Sequence, residues 1–256
     1  MTRLACSFAA LAMLLTGCAA APEAVFTDGD KTWTYRADTI NGWRVYLEKS
    51  LVGQDKLVND LYRELRISLD NIEAGVPAGP VKLLKDVPIW ISNEPHYPFR
   101  PREKGVIPFH RSPQWLRARG LNPHMAPGVH VINPAAVLYE HKMFEWGPQT
   151  ILHELAHAYH NLHLGLDNAE VLEAYRAAIA KGLYLNVPDR TYPDRKVKAY
   201  AATNHEEYFA EITEAYFGPN DWYPNDRAEL KSYDPAGYRM IESVWGVCPD
   251  DGIKKR

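Results

Sequence analysis

Cysteine is scarce in this chain, and its body has no long apolar run. Three cysteines, Cys6, Cys18 and Cys248, are spread over 256 residues. That is too few for a disulfide framework, so the fold has to be held by its core. Internal repeats and low-complexity linkers are lacking, which excludes a solenoid or a string of tethered modules. Basic charge is not concentrated anywhere: the formal net charge is -3, and without a Lys/Arg block nucleic acid is not expected as a partner. What is present, 46% hydrophobic and 24% charged residues, suits one globular domain with a sizeable core.

The one sustained apolar stretch is N-terminal. Arg3 precedes "LACSFAALAMLL" and then "TGCAAAPEA", the charged start, apolar middle and small-residue exit of a signal peptide. The run is too short to remain as a membrane-spanning helix. Residues 1–17 are therefore expected to be removed, leaving 18–256 as a single domain. "LLTGC" resembles the lipobox of bacterial lipoproteins, which implies that Cys18 becomes the acylated first residue of an exported protein. The expected location is the cell envelope, facing the periplasm or in the outer membrane if the host is Gram-negative, with the membrane as a partner through the lipid. Cys248 lies far from every motif, and no cysteine chemistry is expected of it.

Along the mature chain, "AVFTDGDKTWTY" reads as a hairpin turning at Asp28-Gly29, and "GWRVYLEKSLV" as a strand or a lead into a helix. Leu57, Leu61, Leu65 and Leu69, with Val58 and Ile72 beside them, mark an amphipathic helix over residues 55–74. "VKLLKDVPIWIS" is strand-like. Residues 93–127 are rich in Pro, Arg and His and read as a long surface excursion, with Arg100, Arg102, Lys104 and Arg111 solvated. "GVHVIN", residues 128–133, reads as a strand with one buried face.

Chemistry concentrates in "QTILHELAHAYHNLHLG", residues 149–165. Pro148 suits a first helical turn, Ile151, Leu155, Ala158 and Leu162 form a stripe, and Gly165 suits the end. His153 and His157 then stand at i and i+4, with β-carbons about 5–6 Å apart, so two imidazoles can converge on one ion. Glu154 projects beside that ion. This is the content of an HExxH motif: two neutral nitrogen ligands suited to a single Zn²⁺, and a glutamate suited to act as general base.

A catalytic zinc takes a third protein ligand and keeps one position open. Two candidates compete for that place. His163 has the spacing of HExxHxxGxxH, but His160 stands where that pattern has the helix-breaking glycine; if the helix persists, His163 lies about 80° around the axis from His153 and more than two turns along. His160 and His163 then read as surface residues, with a place lining the cleft left open to His160. The other candidate lies in "AYAATNHEEYFAEITEAYFG", residues 199–218, where Thr203 and Glu206 suggest a capping box and Gly218-Pro219 a stop. Phe209, Ile212 and Tyr216 form its inward stripe, while Glu207, Glu211 and Glu214 share another face that has little polar surface around it. Buried carboxylates need a cation or donors.

HELAH followed about fifty residues later by "Y-x6-E-Y-F-A-E" resembles the gluzincin branch of zinc metallopeptidases, in particular the catalytic domain of anthrax lethal factor, over roughly residues 128–218. The resemblance implies an α+β zincin-like domain with a small mixed sheet and an active-site helix carrying HExxH. It further implies Glu207 as third ligand beside His153 and His157, Glu211 as support for a ligating histidine, Glu154 and Tyr200 as catalytic groups, Tyr200 facing the substrate carbonyl, and the strand 128–133 as the sheet edge on which an extended peptide pairs. The implied activity is hydrolysis of a peptide or protein substrate. An amidase acting on cell-wall peptides, or a metal-binding lipoprotein without turnover, are the alternatives; an intact Glu154 disfavours the last, because a structural zinc site needs no base.

Overall fold

A computed structural model describes residues 22–94, 107–144, 149–189, 192 and 194–247. Cys18 and the expected signal peptide, Arg100, Arg102, Lys104, Pro148 and Cys248 lie outside the described residues.

Alternating β-branched and aromatic residues build an antiparallel meander of β1 (Glu23–Asp28), β2 (Lys31–Ile40) and β3 (Trp43–Glu48). Asp28 still pairs with Lys31, so the hairpin turns on Gly29 and Asp30, one position later than expected, with Gly29 at φ 63°. A two-residue hairpin loop of this hand favours glycine at positive φ. The leucine stripe forms α1 (Asp55–Gly75), which buries Val58, Leu61, Leu65, Leu69 and Ile72.

The strand expected across residues 81–92 is corrected. Val81 and Leu84 are buried at helical spacing and close α2 (Ala78–Leu84), so that only Ile89–Ile91 extends, as β4. Residues 107–127 are not a surface excursion either. They form β5 (Phe109–His110) and α3 (Pro113–Arg117), whose Ser112 side chain accepts from the Trp115 N–H, and they bury Ile107, Leu116 and Met125. Prolines here shape turns and a helix start instead of solvated coil.

β6 (Gly128–Val131) completes a sheet of order β1-β2-β3-β4-β6-β5, mixed because β3, β4 and β6 run parallel. All four β6 residues are buried, which corrects the expected one-sided burial and the expected sheet edge. β6 lies between β4 and β5; the edge beside it is β5. One face of the sheet, with Val45, Leu47, Ile89, Ile91, Val129 and Val131, joins the main helical core. On the other face Tyr35, Trp90, Leu116, Leu121 and Met125 form a smaller aromatic core, with Tyr46 stacked on Trp90 at 4.3 Å.

The rest is helical: α4 (Pro134–Phe144), α5 (Gln149–Tyr159) continued by a π turn His160–Leu164, and α6 (Ala169–Ala180). A short ladder of β7 (Val187–Pro188) with β8 (Lys196–Val197) leads to a 3-10 turn Tyr200–Ala202. α7 (His205–Phe217), α8 (Arg227–Tyr233) and α9 (Pro235–Trp245) follow. The architecture is α+β with a small mixed sheet, as expected at that level. α7 packs against α5, and Trp245 of α9 braces the pair: its ring stacks on Tyr159 at 4.2 Å and on Phe209 at 6.0 Å. Among the described residues no helix is long and apolar enough to cross a membrane.

Candidate metal centre

α5 carries His153 and Glu154 side by side and His157 one turn on, and the two imidazoles meet with ring centroids 4.8 Å apart. α7 enters from across the helix pair. Its start is fixed by Asn204, whose side-chain oxygen accepts from the Glu207 N–H at 2.8 Å. This replaces the expected Thr203–Glu206 capping box: asparagine is at least as good an N-cap as threonine and begins the helix one residue later. Glu207 thereby sits in the first turn with its carboxylate turned onto α5.

One oxygen of that carboxylate, Oε2, lies 3.2 Å from His153 Nε2 and 3.1 Å from His157 Nε2. The three donor atoms all lie within 4.8 Å of one another. Donors held at about 2.0–2.1 Å around a small tetrahedral ion stand about 3.3 Å apart. Two imidazole nitrogens and a carboxylate oxygen at these separations could hold a metal ion. Burial would push the Glu207 carboxyl up, but hydrogen bonds from His153 and His157 hold it well below the usual carboxylate range. Burial likewise opposes charge on His153, and the hydrogen bonds to Glu207 and Glu214 override it, holding this imidazole well above its ordinary value.

The far side of His153 shows what the sequence reading passed over. Its Nδ1 lies 2.6 Å from Glu214 Oε1 and 3.7 Å from Glu211 Oε1, both carboxylates being buried. Glu214 shares the face of Glu207 and Glu211, and neither the residue pattern nor the resemblance gives it a role. The signal was there: acids at 207, 211 and 214, spaced i, i+4, i+7, in a helix whose other positions from 208 to 216 are all buried. With Nδ1–H donated to Glu214, Nε2 is the nitrogen turned toward Glu207, and it is the one that would face an ion on giving up its proton.

Glu154 is half-buried, and its Oε2 accepts from the Phe109 N–H of β5 at 2.6 Å. Burial raises its carboxyl above the ordinary value; the charges of His153 and His157 and the Phe109 amide oppose this. Tyr200, in the 3-10 turn before α7, brings its ring to 6.2 Å from that of His153. Its phenol is raised, first by burial and then by the charge of Glu207.

The helix does not break after His157 but runs through the π turn to Gly165, at φ 83°. His163 is exposed and lies against Tyr159 at 5.7 Å, away from the cluster. His160, expected at the surface, is instead wholly buried, 4.9 Å from Phe209 and 5.7 Å from His205. α7 covers that side of α5, which a pattern read on one helix alone cannot reveal.

Compared with protein-family models, curated proteins and solved structures, the chain matches none.

Proposed function

We propose that the chain is a zinc-dependent peptidase of zincin-like fold, exported and anchored through a lipid on Cys18. The observation that carries the reading is the convergence of His153, His157 and Glu207 beside a glutamate that is none of the three. Two imidazoles and one carboxylate suit Zn²⁺ and leave a coordination position open. A zinc ion bound there would act as a Lewis acid toward water and a scissile carbonyl.

The chain's own groups supply the rest. Glu154 takes a proton from a water molecule as the water oxygen bonds to the carbonyl carbon, and delivers it to the amine nitrogen as the C–N bond breaks. Its raised carboxyl pKa brings it closer to the working range of such a shuttle. Tyr200, kept protonated by burial and by Glu207, is available to donate its O–H to the oxygen that gains charge. Glu214 fixes the orientation of His153 from Nδ1, the nitrogen turned away from the three-donor cluster. The likeness of HELAH and "EYFAE" to lethal-factor-type gluzincins supports the same assignment.

The test is cleavage of a mixed-peptide library by zinc-loaded protein at neutral pH. Glu154→Gln is expected to keep its zinc and to lose about 10²–10⁴ in kcat. Zinc-loaded wild type that cleaves nothing sinks the peptidase reading. Export is tested separately: Cys18→Ser should shift the protein out of the detergent phase on phase separation, and unchanged partition counts against the anchor.

A further inference from the structure

β5 is only two residues long, yet it and the arginine just after it bond to both helices that form the centre. Phe109 pairs opposite Val129 and His110 opposite Gly128, while the His130 N–H donates to the Pro108 carbonyl at 2.9 Å. In an antiparallel ladder the bonded positions alternate, so residues 108 and 110 face β6 and the N–H of Phe109 points out of the sheet. That outward N–H is the one that reaches Glu154 Oε2 at 2.6 Å. The next residue but one, Arg111, donates to Glu206 Oε2 at 2.7 Å, beside Glu207 on α7.

The strand is held in place from behind. His110 Nε2 lies 3.1 Å from His130 Nδ1, His130 Nε2 lies 2.6 Å from Ser92 Oγ, and Ser92 Oγ donates to Glu94 Oε1 at 3.3 Å. The donors can all point one way: His110 to His130, His130 to Ser92, Ser92 to Glu94. His110 and His130 are buried, and Trp115 of α3 lies 5.6 Å from the His110 ring. A buried chain of this kind fixes one position of β5.

We infer that the backbone amide of Phe109 is the positioning group for Glu154: the side of β5 turned away from β6 holds one carboxylate oxygen and leaves the other as the base. This rests on the peptidase reading. A carboxylate on a flexible chain of three torsions would otherwise sample several rotamers at the reacting atoms, and a misplaced base costs rate without changing binding. The assignment makes the main chain, not the side chain, of residue 109 the functional element. Proline at 109 removes that N–H and costs no ladder bond, since the ladder does not use it and an edge strand admits proline. Leucine keeps it.

On the full chain loaded with zinc, Phe109→Pro should lose about tenfold or more in kcat relative to Phe109→Leu, with KM and zinc content equal between the two. A second measurement does not depend on turnover or on the proline variant folding. In ¹⁵N-labelled protein the Phe109 amide should be protected from hydrogen exchange, and Glu154→Ala should cut that protection about tenfold or more while the amide of His130 keeps its own. A Phe109 amide unprotected in wild type, or a Phe109→Pro variant as active as Phe109→Leu, overturns the positioning role alone. Wild type that binds zinc and hydrolyses nothing overturns the peptidase reading and this role with it, even with the amide protected.

Discussion

His153 Nδ1 lies 2.6 Å from Glu214 Oε1 but 3.7 Å from Glu211 Oε1. The hydrogen-bonded distance selects Glu214, one turn beyond the carboxylate that motif resemblance implies, as the acceptor that fixes this imidazole. Glu214→Ala is therefore expected to weaken metal affinity by about 10–100-fold. Glu214→Gln, which keeps an acceptor oxygen, should recover part of the loss, and Glu211→Ala should cost less than Glu214→Ala. Competition with a chelator of known affinity measures all three, and a larger loss from Glu211→Ala reverses the assignment.

Glu207 and His163 give opposite outcomes in metal analysis. Glu207 Oε2 reaches both Nε2 atoms, while His163 is exposed beside Tyr159. Glu207→Ala should lose more than about 100-fold in affinity, beyond the range for an outer support, and His163→Ala should stay within about twofold.

Acid should loosen the fold in a definable window. Burial lowers His110 from 6.5 to about 4, and burial with the charges of His205 and His157 does the same to His160. Between those two values the unfolded chain binds more protons than the native one, so stability rises with pH and is lost as pH falls from about 6.5 toward 4. Each histidine accounts for about 3 kcal/mol at most across that window. Urea unfolding at pH 7 and pH 4.5 should show a smaller difference for His110→Asn than for wild type. An unchanged difference would falsify the contribution of His110.

The brace between α5, α7 and α9 predicts where the fold is most sensitive. Trp245 is fully buried against Tyr159 and Phe209 and donates its N–H to Thr213 at 3.2 Å. Trp245→Ala should cost about 3–5 kcal/mol in denaturant unfolding. His160 goes the other way: neither ring nitrogen has a hydrogen-bond partner among the described residues, so His160→Leu should be neutral or raise Tm.

The sequence by itself determined those features whose cause is local. Helical spacing marked α1 and α5, the alternation of residues 24–35 marked the hairpin, and the i, i+4 histidines with Glu154 between them marked a helix whose side chains could hold a metal. The aromatic and alanine neighbours of Glu207 marked a helix too apolar to be solvated. Tertiary structure decided what depends on a second element arriving from far along the chain. Whether β6 is an edge depends on β5, which a two-residue strand barely announces. Whether His160 is exposed depends on α7 covering α5. Which acid meets Nδ1 depends on the relative setting of two helices, since 211 and 214 share one face and no periodicity separates them. The Phe109 amide carries no signature at all, because every residue but proline has an N–H and only the ladder register turns this one toward Glu154.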